Sequence, residues 1–511
     1  MRTRYVLAVC LLAGVAVAAA AEQKVYPKRW VYVSRSLRAD RDVDDIRQIV
    51  QTASEHGLNG MLFAGGFDRM DLQPPEYFER LRKVKEACDR LSIEIVPTGF
   101  NVGYGGALLS HDRHLAAGLP VKDALFVARG GEARFESDSP AAPAGGAFEG
   151  RAEQVVAVKP YRSYRLRVRV RAEGATPGAL LGIRALAPDK RNLCFFESRL
   201  SASADWRDVT TGFNSWYADK VTLSVGAGEG KVQKLSIDGL RIEEVGLVNV
   251  VRRQGTPVRV RGEQTGTVYE EGRDFDRILD PKMDFRFDHD NPSIKLLPNT
   301  RIRDGEKLRV DYYHGTTIYR DQVAACMSDP KVMEIWRKQF PLVEKHVAPR
   351  TYLLALDEVR VGGFCESCRR RNKSMAAMLG EYATDLHRMI RQVNPKAEIF
   401  VWSDMFDPNH NARPKYYLVD GDFTGSWEYL PKDMQIACWY FQRRRLSLDH
   451  FSKLGFKTLA GAYYDADDLK NPEGWLEALD QTPGAVGIMY TTWQNKYKLL
   501  GPFGDLVSRR K

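Results

Sequence analysis

The strongest constraint on this chain is a rhythm that starts, breaks off and resumes. Near the N-terminus strand-like and helix-like stretches alternate. "RWVYVSRSL" (Arg29–Leu37) reads as a strand, "DVDDIRQIVQTASEHG" as a helix and "LNGMLFAGG" as a second strand. "PEYFERLRKVKEACDRL" is a second helix, and "IEIVPTGF" (Ile93–Phe100) a third strand. Alternation of this kind predicts parallel strands joined by crossover helices. From about Val121 to Val245 the period changes to short alternating segments such as "YRLRVRVRAE", "ALLGIRAL" and "KVTLSVGAG", with no helical stretch between them. That pattern predicts an antiparallel β-sandwich. A second β-rich segment follows, ending in "EKLRVDYYHG" near Thr316.

The α/β rhythm then returns. "DPKVMEIWRKQFPLVEKHV" and "SMAAMLGEYATDLHRMIRQV" read as helices. "TYLLALDEV", "EIFVWSDMF", "MQIACWYF", "KTLAGAYYD" and "AVGIMYTTW" (Ala485–Trp493) read as strands four to eight. Eight strands with helical segments between most of them predict an α/β fold, a (β/α)8 TIM barrel. Its connection between strands 3 and 4 carries the sandwich and the smaller β-rich segment as an insertion. At 511 residues the chain is long enough for about two or three domains. The expected division is a signal segment at 1–21, barrel at 22–120, β-sandwich at 121–245, β-rich segment at 246–320 and barrel again at 321–511.

Composition enters at the ends of this argument. Arg2 and Arg4 precede an apolar run from Tyr5 to Ala20 that closes in "AVAAAAEQ". This is the layout of a secretory signal with small residues at the cleavage point, so a secreted or periplasmic protein is expected, with no membrane insertion after cleavage. No other run reaches the roughly 18 apolar residues of a span. Loss of Arg2 and Arg4 lowers the net charge from +10 to +8, which is mild for this length. The basic clusters Arg369–Arg371 and Arg443–Arg445 carry no aromatic-studded motif, so they read as solvated faces and no nucleic-acid partner is expected.

In a barrel of this kind chemistry gathers where the strands end at their C-termini. The predicted ends supply Arg35 (strand 1), Asp68 (2), Asp357 and Glu358 (4), Trp402 and Asp404 (5), Trp439 and Tyr440 (6). Strand 7 supplies Tyr463, Tyr464 and Asp465, and strand 8 supplies Trp493, Gln494 and Asn495. Acids, aromatic rings and an arginine around one mouth suit a sugar. Rings stack on the apolar face of a pyranose, and carboxylates and arginine bond its hydroxyls. Cleavage of a glycosidic bond needs a proton donor for the leaving oxygen and support for positive charge at the anomeric carbon. A glutamate in an apolar pocket can be that donor. Each residue also has a plain structural use: Asp357 and Glu358 as a helix cap or surface ion pair, the tryptophans as packing, and Arg35 as partner of a structural acid. Adjacent strand residues point to opposite sides, so Asp357 and Glu358 share a pocket only if the strand ends or bulges there.

These strand ends resemble glycoside hydrolase family 20, the β-N-acetylhexosaminidases. The resemblance rests on "LALDEV" at strand 4, Arg35 in "VYVSRSL", "HGLNGMLF" at strand 2, Tyr464–Asp465 in "GAYYDAD" and Trp493 after strand 8. It covers the barrel alone. It implies substrate-assisted catalysis, in which the sugar's 2-acetamido oxygen attacks its own anomeric carbon. Asp357 would orient the acetamido N–H, Glu358 would be acid and then base, and Tyr464 would bond the acetamido oxygen. Arg35, Trp402, Asp404, Trp439, Asp465, Trp493 and Asn495 would bind substrate, an oligosaccharide or glycan. No cofactor and no metal is implied. The chain departs from the family in "LLAL", where His-x-Gly-Gly is usual, in "PTGFNVGYGG", where a His is usual, and at Gln494–Asn495, where an acid follows the tryptophan. Two other readings stay open. One is a glycosidase that pairs Glu358 with Asp465 or Asp404 as second carboxylate, and the other a barrel that binds glycan without cleaving it.

Two further features bear on function. The inserted sandwich resembles jelly-roll carbohydrate-binding modules through "YRLRVRVRAEG" and "WRDVTTGFNSWYADKVTLSVGAGEGKVQKLSIDGLRIEEV". Cys365 and Cys368 form a single Cys-x-x-Cys, and a zinc site needs two more ligands. No second pair lies nearby in the sequence, so free thiols or a loop staple is expected.

Overall fold

A computed structural model describes residues 24–140, 146–201 and 205–509. The predicted signal segment at 1–21 lies outside them. The barrel is closed by eight parallel strands: β1 (Lys28–Ser34), β2 (Gly60–Ala64), β3 (Glu94–Gly99), β4 (Thr351–Leu354), β5 (Glu398–Trp402), β6 (Gln435–Cys438), β7 (Thr458–Tyr463) and β8 (Ala485–Thr491). Closure is made where Lys28 to Val31 of β1 pair with Gly487 to Tyr490 of β8.

Side-chain alternation divides each strand between two cores. Trp30, Leu62, Val96, Leu353, Phe400, Ala437, Leu459 and Met489, one from each strand, fill the inside of the barrel, with Trp402 above them. Their neighbours Val31, Met61, Ile95, Leu354, Ile399, Ile436, Ala460 and Ile488 face outward and pack under the helices. This is the period of two that a strand imposes, used on both faces.

The outer ring is built of α1 (Asp40–Glu55), α2 (Pro75–Arg90), α3 (Pro330–His346), α4 (Met375–Val393), α5 (Arg444–Lys453), α6 (Lys470–Asp480) and α7 (Leu500–Ser508). Val43, Ile46, Val50 and Ala53 of α1 fall on one face and are buried, as helical spacing requires. The side chains of Asp329 and Ser374 cap α3 and α4 by accepting the N–H groups of Lys331 and Ala377. Between β5 and β6 the described residues form short 3₁₀ turns at Asp404–Phe406 and Ser426–Tyr429 and a two-residue strand, Leu418–Val419, paired with Val361–Gly362, but no α-helix. That connection is therefore a broad loop over the mouth. Among the described residues no helix is long and apolar enough to cross a membrane.

Between β3 and α3 the chain builds three antiparallel sheets. Two are four-stranded and share one core, in which Leu166, Val168 and Val170 of one sheet meet Leu181, Ile183, Leu223 and Val225 of the other. The third is six-stranded. The expected start of the sandwich near Val121 is displaced. Leu119–Arg129 pairs with Lys307–His314, and Glu132–Phe135 with Ile294–Lys295, so these strands belong to the third sheet. The first strand of the sandwich itself is Phe148–Glu149. The sandwich docks on the barrel through Arg191, whose Nη1 donates to the Tyr417 carbonyl in the β5–β6 loop at 3.0 Å.

Candidate active site

A cleft of about 1920 Å³ opens at the C-terminal ends of the barrel strands. Asp357, Glu358, Tyr464, Trp402, Trp439, Asp465, Trp493 and Asn495 all line it. Residues of the sandwich, among them Phe196, Arg199 and Arg207, form its outer wall. The site is thus shared between barrel and insertion.

The carboxylate pair reaches one cavity because the ladder stops first. β4 ends at Leu354, and Glu358 takes a left-handed backbone conformation, φ +52°. Strand alternation no longer applies there, and the turn re-aims the second side chain. Non-glycine residues in this region cost of order 1 kcal/mol and gather where function requires them. The same signature recurs across the mouth, where Tyr463, Tyr464 and Asp465 have φ values of +80°, +61° and +62°. The loop after β3 lies directly beneath: a Cβ on Gly103 would stand 2.2 Å from the Asp357 carbonyl oxygen, so only glycine permits this approach.

Glu358 is held from two sides. Its Oε1 is 2.7 Å from Nη2 of Arg360, and its Oε2 accepts from the Tyr104 hydroxyl. Arg360 is buried, lies over the rings of Tyr319 and Tyr417, and donates to Gln322 Oε1. Gln322 Nε2 donates in turn to the carbonyls of Gly103 (3.0 Å) and Glu358 (2.8 Å). One network therefore fixes the loops after β3 and β4 together. Asp357 Oδ1 accepts from Asn101 Nδ2 at 2.6 Å. Burial pushes the Asp357 carboxyl well above the usual range, and the charges of Asp404 and Glu358 add to this. Asp357 therefore keeps its proton to higher pH than an isolated carboxyl would.

The aromatic side of the cleft is a continuous row. Trp439 and Tyr464 lie parallel, 6° apart in plane, Tyr464 meets Trp493 edge-on, and Trp493 leans on Tyr32 at 5.0 Å. Tyr464 and Trp493 are 45% and 46% exposed, so their surfaces are open to a ligand rather than used up in packing. Tyr463, by contrast, is buried and stacks on Tyr490 at 4.0 Å. Burial, followed by the Glu358 charge, pushes the Tyr464 phenol up to about 12, so it remains a hydroxyl donor near neutrality.

Three of the expected substrate-binding residues have their polar groups engaged by other parts of the chain. Arg35 does not line the cleft. Its guanidinium is drawn to Asn495 Oδ1 (2.5 Å) and to Asp45 (3.4 Å) on α1. Asp404 is fully buried behind the mouth, where Oδ2 accepts the Glu358 N–H (2.9 Å) and Asn411 Nδ2 (2.8 Å), and Oδ1 faces Trp439 Nε1 (3.4 Å). Asp465 borders the cleft, yet its carboxylate is taken by Thr492 Oγ1 (2.5 Å) and the N–H groups of Trp493 (2.8 Å) and Gln494 (3.3 Å). It shapes the loop after β8. Burial and the Glu358 charge push the Asp404 carboxyl up to about 7.

Sequence reasoning did not single out Asn101, Tyr104, Gln322 or Arg360. Tyr104 and Asn101 sit in "FNVGYGG", after a recognisable strand end, and Arg360 is two residues past Glu358. Their positions relative to strand ends were a usable signal. Gln322, on the return from the insertion, carried none.

No family model matches the sequence, and no curated protein matches it. Solved structures do. A β-N-acetylhexosaminidase from Bacteroides fragilis NCTC 9343 aligns with 94% of this chain and 66% of its own, at 10% identity and a TM-score of 0.40. A family 20 exo-β-N-acetylglucosaminidase from Vibrio harveyi aligns with 94% of this chain and 54% of its own, at 9% identity and a TM-score of 0.42. A rhamnosidase from Novosphingobium sp. PP1Y aligns with 95% of this chain and 59% of its own, at 12% identity and a TM-score of 0.37. The chain spans about half to two thirds of the length of these structures. The barrel assignment rests on the closed eight-stranded sheet itself.

Proposed function

We propose that the chain is an exported glycoside hydrolase that removes β-linked N-acetylhexosamine from a glycan by substrate-assisted, retaining catalysis. The observation that carries the reading is the placement of Asp357 and Glu358 on one loop, facing a cleft walled by Trp439, Tyr464 and Trp493. Export rests on the composition of residues 1–21.

The chemistry follows from what each group is free to do. The aromatic row offers flat apolar faces to a sugar ring. Glu358 lines the cleft with its carboxyl held by Arg360 and Tyr104, and this carboxyl delivers its proton to the leaving oxygen and later accepts one from water. Asp357, steadied by Asn101, bonds the acetamido group and fixes its carbonyl oxygen beneath the anomeric carbon. Tyr464 donates to that oxygen. The oxazolinium formed by this attack is opened by water from the opposite face, which returns the β-configuration.

The state of the other carboxylates favours this version over a two-carboxylate enzyme. A protein nucleophile needs an oxygen free to form a bond with carbon. Asp404 is closed in behind the mouth, and Asp465 is committed to Thr492 and two backbone N–H groups. With neither Asp404 nor Asp465 free, the substrate's own acetamido oxygen is favoured over these two as nucleophile.

The test is a panel of chromogenic glycosides that differ in the 2-substituent. Turnover of N-acetyl-β-glucosaminides or galactosaminides, with none of the 2-hydroxy analogues, supports the reading. Preference for 2-hydroxy glycosides would move the nucleophile back to a protein carboxylate. Binding of glycan with no turnover of any member would make the barrel a lectin-like receptor.

A further inference from the structure

Away from the cleft, three buried cysteines converge. Cys365 and Cys368 belong to the loop that leaves β4, a few residues past Glu358. Cys326 comes from the segment that returns from the insertion, just before α3. Their Sγ atoms are 3.5 Å (Cys326–Cys365), 3.7 Å (Cys326–Cys368) and 3.5 Å (Cys365–Cys368) apart. No pair among them is a disulfide, whose sulfurs would be bonded at about 2.05 Å. Three thiolates around one tetrahedral zinc ion, with Zn–S bonds of about 2.3 Å, stand roughly 3.8 Å from each other. The observed triangle is close to that edge length. Ordinary packing gives three thiols no reason to meet as a triangle of three near-equal edges.

Two surroundings point the same way. The buried guanidinium of Arg253 lies against the trio, with its Nε and Nη2 donating to the carbonyls of His114 and Ala116. Three thiolates with one divalent ion carry a net negative charge, and Arg253 offsets it. A small cavity of about 10 Å³ is lined by all three cysteines together with Gly362 and Phe364. That is about the room one water needs. A water there could complete the coordination of an ion held by the three sulfurs.

We propose that Cys326, Cys365 and Cys368 bind a single zinc ion as thiolates, with one water as fourth ligand. The three thiols release their protons on binding. The ion would tie the loop carrying Asp357, Glu358 and Arg360 to the strand-free segment before α3, and so stabilise the mouth of the barrel from behind. The inference is independent of the proposed reaction.

The experiment uses the full chain purified under reducing conditions. Zinc is counted by elemental analysis, and the apo-protein is titrated with Co²⁺, whose thiolate-to-cobalt band in the near ultraviolet reports sulfur ligation. The expected result is about one zinc per chain and a saturable band at one equivalent. Both should fall to background in C326S and C368S and stay intact in C88S, where the cysteine is isolated. The unfolding temperature should rise on adding zinc to the apo wild type. Absence of both zinc and cobalt binding in the reduced wild type overturns the proposal. So does retention of one zinc by C326S, or a Cys365–Cys368 disulfide that persists in the presence of excess thiol reductant. The wild-type cobalt titration decides the matter even if a variant fails to fold.

Discussion

Glu358 Oε1 lies 2.7 Å from Arg360 Nη2, and the two residues are separated in the chain by Val359 alone. The bond closes a tight turn that a strand could not make, and it means that the glutamate at the mouth is gripped by a buried cation rather than surrounded by apolar walls. Arg360 in turn holds Gln322, which ties down the backbone of Gly103 and Glu358. The proposed acid is therefore positioned by three segments distant in sequence.

Arg360→Met should lose both functions of the guanidinium. Breaking a buried pair by removing one partner costs about 3 kcal/mol, and Glu358 is then free to swing. Urea unfolding should show a drop of that order, with turnover reduced in parallel. An Arg360→Lys variant should recover part of each. No change in the unfolding midpoint would show that the network is not structural.

Asp404→Asn separates geometry from charge. An asparagine oxygen can still accept the Glu358 N–H, so the turn should persist. The wild-type Asp404 carboxyl is raised from the ordinary range to about 7 by burial and by Glu358. Across that window the native state keeps a proton that the unfolded chain releases, so stability is lost as pH rises through it. The variant should show a flatter stability profile between about pH 4 and about pH 7, read as the urea midpoint at each pH. A profile as steep as the wild type's would place the titrating proton elsewhere.

Asp465→Ala should act on substrate affinity. Its carboxylate holds the N–H groups of Trp493 and Gln494, and leaving such donors unpaired costs about 1–3 kcal/mol. The β8 loop should loosen and Trp493 should lose its place. The expectation is a KM raised about tenfold, corresponding to 1.4 kcal/mol, with a smaller change in kcat. A kcat collapse with KM unchanged would instead mark Asp465 as chemically active.

Trp493→Ala tests the aromatic row directly. An exposed indole that stacks on a ligand is worth about 1 kcal/mol, so kcat/KM should fall about fivefold while stability is nearly unchanged. Trp402→Ala should differ. That ring caps the barrel interior, and its loss should cost about 3–5 kcal/mol of stability. Equal stability losses in the two variants would contradict the division into platform and floor.

The barrel was legible because each strand repeats every second residue and each crossover helix shows its own period, both local properties. Asp357 and Glu358 were legible because the apolar run before them ends abruptly. What escaped was non-local. Nothing in the alternation of Leu119–Arg129 says that its partner is Lys307–His314, nearly the whole insertion later. Asp404 follows Trp402 at the spacing of a mouth residue, yet the chain turns into a 3₁₀ segment there and carries the acid behind the site. Arg35 was placed at the right height, but Asn495 and Asp45 compete for its charge. Cys326 could not be joined to Cys365 and Cys368 because α3 and β4 separate them in the sequence. Each miss is a side chain whose direction is decided by a partner far along the sequence.

The central claim is that the Glu358 carboxyl gives its proton to the leaving oxygen. It is tested most directly by comparing wild type and Glu358→Gln on two N-acetyl-β-hexosaminides, one with a poor and one with a good leaving group. The account predicts that the variant loses at least about 100-fold in kcat/KM on the poor leaving group, where protonation is required. It should keep much more of its activity on the good one, where protonation is not required. Equal losses on both substrates, or near wild-type turnover of the poor one, would contradict it.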